Sequence, residues 1–311
     1  MISDLLISTV LIGIAASGIR LATSYLYAAI GETFGQLSGV LNLGVEGIML
    51  LGAYVAFYIV ARTGNLMLAL LGVVLVGALL GLLMAFISVT LRAEQGISGI
   101  GLFLFGLGLS DLLFQKTLGR VQTVSGFPDL AIPFLSDLPV LGPILFNHSV
   151  LVYGAFALVP ISWFVINKTT LGLKILAVGQ NPEAADALGI SVGQIRYLTL
   201  TIGGILSGIA GASLSISLLN VFQQNLTSGQ GFIAVALVYF GAWKPVGVML
   251  GSLLFSTVTA LQLWVQALGI PIPSDLAVMS PYVLTILALM LATQRAINKP
   301  EALTKPFVRG E

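Results

Sequence analysis

The chain has 311 residues, 57% of them hydrophobic and only 8% charged, with a mean hydropathy of +1.05, against about 25% charged residues in ordinary soluble chains. That balance excludes a soluble globular protein and points to one embedded in a membrane. A formal net charge of +1 argues against nucleic acid as a partner, and no cysteine with a single histidine, His148, leaves no disulfide, thiol chemistry or metal cluster.

Taken in order, apolar runs long enough to cross about 30 Å of hydrocarbon fall at 5–30, 40–61, 66–91, 96–117, 149–166, 198–218, 247–268 and 277–294. A shorter one covers 229–243. The first has no basic segment before it and no small-residue cleavage site after it, so it reads as a retained helix. The ten-residue alternation of a β-barrel is missing. The expected fold class is therefore an all-α, polytopic helical membrane protein of about 8–10 transmembrane helices, one transmembrane domain over 1–311.

Orientation follows from the basic residues. The tail 295–311 carries Arg295, Lys299, Lys305 and Arg309, the best cytoplasmic candidate. If 229–243 crosses, Arg92, Lys168, Lys174, Arg196 and Lys244 join it inside, leaving Arg62, Lys116 and Arg120 outside. This places 167–197 and the C-terminus in the cytoplasm. The proline-rich stretch 119–149, with Pro128, Pro133, Pro139 and Pro143, becomes an external loop or cap.

Residues 36–52 and 229–251 each set a glycine-interrupted short helix before a full span. Paired interruptions of that kind mark a translocation path at the interface of an inverted repeat, here with candidate halves 31–117 and 198–294. Asn42, Glu46, Phe232 and Tyr239 are the candidate path residues on these segments. Asn42 and Glu46 are four apart and can share one helical face. A pathway lining and an internal pair that fixes the interrupted helix both remain open. Glu32 and Asp111 are the other acids within apolar runs, where charge costs several kcal/mol unless it faces protein or water. Small residues at four-residue spacing, among them Gly204 and Gly208, with Gly211 paired to Ser207, predict close helix packing.

The polar island 171–197 contains one very short helix at 181–189. Asn181 is its N-cap, Pro182 its first residue, Glu183 and Asp186 its early acids and Gly189 its terminator, with Ala184 and Ala185 between. Two turns cannot hold themselves together in water, so the helix needs something to dock on. The chain shows no GxxxxGK[ST] phosphate loop, no HExxH and no GxSxG. For an enzyme the chain therefore offers little, and if it moves something uphill with ATP, a second chain must hydrolyse the ATP. An ion-coupled carrier using Glu46 and Asp111 is the alternative.

Four stretches carry a resemblance: GETFGQLSGVLNLGVEGIMLLGA at 31–53, LGLKILAVGQNPEAADALGI at 171–190, the glycines from Gly203-Gly204 to Gly211-Ala212, and GFIAVAL at 231–237 with FGAW at 240–243. Together they resemble the inner-membrane permease subunits of bacterial ABC importers, in the superfamily of ribose and branched-chain amino acid permeases. The 31–53 stretch is closest to the branch for nucleoside uptake through basic-membrane-protein-type lipoprotein receptors. The resemblance implies that 181–189, preceded by Gly179, is the coupling helix seated in a groove of an ATPase subunit. It further implies a second permease, paralogous or identical, an external substrate-binding lipoprotein, and ATP and Mg held by the ATPase, with no cofactor on this chain. The substrate expected is a nucleoside, with riboflavin or a ribose-like sugar as alternatives, carried across a bacterial inner membrane.

Overall fold

The computed structural model describes residues 2–268 and 299–309 and, between them, only positions 279, 283, 286, 287 and 290. The expected span 277–294 therefore lies essentially outside the described residues. Among the described residues seven helices are long and apolar enough to cross a membrane. They are α1 (Ile2–Leu37), α2 (Val45–Thr63), α3 (Leu66–Ala85), α4 (Gln95–Thr117), α6 (Val150–Lys168), α9 (Val192–Ser213) and α11 (Pro245–Ala267). Shorter helices lie between them: α5 (Leu141–Leu145), α7 (Thr170–Gln180), α8 (Pro182–Ala187) and α10 (Gln230–Phe240). Helices α3 and α9 each run on into a π-helical turn, Phe86–Thr90 and Leu214–Leu218.

In lipid, polarity cannot sort the faces of an apolar helix, so residue size does. Helix α3 shows this: Leu68, Leu71, Leu75, Leu79 and Leu82 face outward, while Ala69, Val73, Gly77 and Gly81 are buried. The buried side meets α9, the central helix, which also packs on α1 and α2. A Cβ on Gly204 would lie 2.3 Å from the Gly77 carbonyl oxygen, and one on Gly211 would lie 1.8 Å from that of Met49. A Cβ on Gly52 would come within 2.4 Å of the Gly208 carbonyl oxygen. These contacts are backbone against backbone, closer than any side chain allows.

The stretch 119–149 is structured. Its strands β1 (Asp129–Ala131) and β2 (Asn147–Ser149) pair antiparallel, with Leu130 opposite His148. The loop is seated on the end of α9: Val124 N donates to Asn220 O (3.0 Å) and Phe127 N to Ile216 O (2.8 Å).

Two elements differ from the sequence expectation. Helix α7 fills 170–180, where only the following short helix is predicted, and α9 begins at Val192 rather than near 198. Polar letters mask both starts. In α9 these are Gln194 and Arg196, and the buried Arg196 places its guanidinium on the Ser38 and Lys305 carbonyls, partners that no local reading shows.

Candidate functional site

Among the described residues three breaks interrupt the helices inside the bundle, at 38–44, 219–229 and 241–244. Open backbone at membrane depth survives only where other groups satisfy it. At the first break, Leu41 N donates to Gln95 Oε1 (2.9 Å), Asn42 N to Glu32 Oε1 (3.0 Å) and Gly44 N to Asn42 Oδ1 (2.9 Å). At the third, Ala242 and Trp243 hold left-handed φ values of 50° and 57°. That strain is costly for residues with a Cβ. It is braced by Trp243 Nε1, which donates to Gln36 Oε1 (2.8 Å), while Gln36 Nε2 donates to Glu32 Oε1 (3.0 Å). One relay, Asn42–Glu32–Gln36–Trp243, thus joins the first break to the third.

Glu46 joins the first break to the second. Its carboxylate accepts from Thr227 Oγ1 (2.5 Å), Gly229 N (2.7 Å) and Gly231 N (2.5 Å). It therefore sits in the first turn of α2 and against the open N-terminus of α10, two positive dipole ends that favour an anion. Close approach requires glycine at 231, where a Cβ would lie 2.6 Å from the Glu46 Cα. The two interrupted segments singled out in the sequence meet here face to face.

The pairing of Asn42 with Glu46 on one helical face is corrected: Asn42 lies in the break before α2, and the two side chains take different partners. The Gly39 turn, φ 91°, ends α1 before position 42 can be helical. Asn42 and Glu46 are both sealed, each 1% exposed, whereas Phe232 and Tyr239 lie seven apart on α10 and retain exposure. Phe232 meets Phe103 edge-on at 5.1 Å, and Tyr239 meets Trp243 at 4.9 Å. Asp111, in α4, leaves one carboxylate oxygen buried without a partner. Gln36, Gln95, Thr227 and Trp243 do not stand out by sequence, because a single neutral polar residue in an apolar run carries no signature until its partner is known.

The second assembly follows the Lys168 end of α6, next to the first break. Thr169 Oγ1 caps α7 by accepting from Gly172 N (3.1 Å), and Asn181 Oδ1 caps α8 by accepting from Ala184 N (2.9 Å). Gly189, φ 81°, ends the turn. Ala185 is buried, while Glu183, Ala184 and Leu188 point outward. The C-terminal segment 299–309 packs beside them. Ala302 N donates to Gly179 O (2.9 Å), Thr304 N to Gly39 O (3.2 Å), and Arg309 Nε to Asp186 Oδ2 (2.9 Å). Arg196, 1% exposed, donates Nε to Ser38 O and Nη1 to Lys305 O, both at 3.2 Å. The short helix, the tail and the first break are thereby tied into one hydrogen-bonded unit. A groove of about 420 Å³ runs between Gln180, Asn181, Pro182 and Glu183 on one side and Ala302, Lys305 and Phe307 on the other.

Residues 3–291 match the family described as branched-chain amino acid transport system / permease component. The chain is 38% identical over 283 residues to the putative glucose ABC transporter permease protein TsgC13 of Haloferax volcanii, covering 88% of this chain and 85% of that one. It is 35% identical over 305 residues to the guanosine ABC transporter permease protein NupQ of Bacillus subtilis, covering 93% and 94%. To the guanosine ABC transporter permease protein NupP of the same organism it is 28% identical over 291 residues, covering 90% and 81%. No solved structure matches. A polytopic helical bundle with paired broken helices, matched along nearly its whole length, identifies the chain as a member of the ABC transporter permease family that includes the branched-chain amino acid permease components.

Proposed function

We propose that this chain forms half of the translocation path of an ATP-driven importer for a nucleoside or simple sugar, with α8 as the helix through which a separate ATPase acts. The observation that carries the reading is the construction of α8. It is six residues long, capped at both ends and exposed at Ala184 and Leu188, yet bonded through 299–309 and Arg196 to the first break of the bundle. So short a helix is stable only as part of a larger rigid body, and a rigid body can transmit the closing of two ATPase domains. ATP and Mg would be held by that partner.

The open face of α10, with Phe232 and Tyr239, would line the path opposite a second permease, while Asn42 and Glu46 brace its ends. A nucleoside or sugar substrate is supported by relatives named for guanosine and for glucose. Pairing with a different permease is supported by two distinct guanosine permease proteins, at 35% and 28% identity, from one organism. Delivery by an external binding lipoprotein, a cytoplasmic C-terminus and a bacterial inner membrane complete the proposal.

The test uses the chain reconstituted in liposomes with its ATPase, partner permease and receptor. Ala184→Arg, on the outward face of α8, should leave insertion and folding unchanged and abolish receptor-stimulated ATP hydrolysis. Normal stimulation in that variant would sink the coupling assignment. Uptake driven by an ion gradient without ATP would sink the importer itself.

A further inference from the structure

At the end of α6 remote from α8, about 28 Å away along 19 residues of helix, lies a cavity of about 210 Å³. Arg20 of α1, Asp129 of β1, Ser149 before α6, Ser217 of the π-helical turn and the following Asn220 line it, with Phe127 as an aromatic wall. Its size corresponds to about seven waters at about 30 Å³ each, the volume of one small ring compound.

The walls are built. Asn220 holds a left-handed φ of 56° and its carbonyl is taken by Val124 N, while Phe127 N takes the Ile216 carbonyl, an orphan acceptor of the last turn. The Ser149 and Ser217 hydroxyls bond to each other at 2.6 Å, and each keeps hydrogen-bonding capacity for a third group. Arg20 and Asp129 are exposed, and neither makes an ion pair among the described residues. In a chain with only 8% charged residues, a guanidinium, a carboxylate, hydroxyls and an amide around one small cavity form an unusual concentration of donors and acceptors.

That set favours a ligand without net charge that both donates and accepts hydrogen bonds. An anion would meet Asp129, a cation would meet Arg20, and an apolar molecule would leave the polar lining desolvated and unpaired. A neutral ring bearing adjacent hydroxyls satisfies all of them. Its hydroxyls donate to Asp129 and accept from Arg20, while one apolar ring face lies on Phe127. We propose that this cavity is a binding station for a neutral polyhydroxylated ring, the pentose of a nucleoside or a free sugar, on the face of the permease opposite its ATPase. The proposal rests on the transport reading above and adds to it a place where this chain holds the ligand.

Equilibrium binding of radiolabelled guanosine and of ribose to the full chain in nanodiscs tests it, with Ser217→Leu to fill the cavity and Asp129→Asn to remove the carboxylate. Saturable binding to the wild type, lost in Ser217→Leu and weakened roughly tenfold in Asp129→Asn, is the expected result. Binding of guanosine that ribose does not displace assigns the site to a nucleoside; mutual displacement assigns it to the shared ring. If Ser217→Leu does not fold, Asp129→Asn, on an exposed strand, still decides. Absence of saturable binding, or equal binding in the wild type and Asp129→Asn, overturns the site. Uptake by the complete importer separates the two readings. Uptake that is present and unchanged in both variants removes the site and leaves the importer, whereas a wild type that takes up no nucleoside or sugar removes both.

Discussion

Glu46 shows how one side chain can specify a fold at membrane depth. Its carboxylate receives three donors, one from Thr227 and two backbone amides at the mouth of α10. Glu46→Gln keeps the shape but replaces one accepting oxygen by an NH2 group facing buried donors. Each unsatisfied buried group costs about 1–3 kcal/mol. The variant is therefore expected to melt lower in detergent than the wild type, as read by fluorescence-detected thermal unfolding; an unchanged melt with altered uptake would instead place Glu46 on the path. His148 offers a pH readout outside the spans. Burial holds its pKa below the ordinary 6.5, opposed by its bond to Ile144 O, with Arg20 lowering it further and Asp129 raising it. A lowered folded pKa means that stability is fully present above about 6.5 and is lost as pH falls from there through the folded value. The melting temperature should fall between pH 7 and pH 5, and His148→Gln should flatten that slope.

At the scale of the element, α9 depends on where its glycines stand and not on how many it has. Gly211→Ala drives a Cβ to 1.8 Å from the Met49 carbonyl, backbone that cannot yield, so α2 and α9 must separate. Overpacking of this kind costs about 1–3 kcal/mol or more, and loss of monodisperse protein on size exclusion is expected. Gly193, also in α9, meets nothing within 4 Å, and Gly193→Ala should stabilise by about 0.5–1 kcal/mol through helix propensity. The four-residue spacing of Gly204, Gly208 and Gly211 with Ser207 marks a packing face in the sequence without saying which backbone will be its partner. The cap of α8 is different. Asn181 acts on the Ala184 amide three residues away, so local order suffices to read it.

For the molecule as a whole, the C-terminal segment connects parts that are far apart in the chain. It bonds to Gly39, Gly179, Asp186 and Arg196. Ending the chain at 299 should leave the spans inserted but leave the Arg196 guanidinium without its Lys305 acceptor. The expected outcome is a lower melting temperature and ATP hydrolysis that the receptor no longer stimulates. Arg309→Ala alone should change stability by less than about 1 kcal/mol, because the Arg309 side chain is 81% exposed and such pairs are weak.

The sequence by itself determined that this protein is a helical membrane bundle, where most of its spans fall, and that a capped helix near residue 185 lacks support of its own. These follow from composition, run length and contacts within a few residues, all of which the chain carries locally. Only the tertiary structure decided that Glu46 closes the mouth of α10, that Trp243 is held by Gln36, and that Arg196 joins the tail to the first break. Those bonds link residues more than a hundred positions apart, and a buried polar group reveals its role only when the fold brings its partner within 3 Å or so.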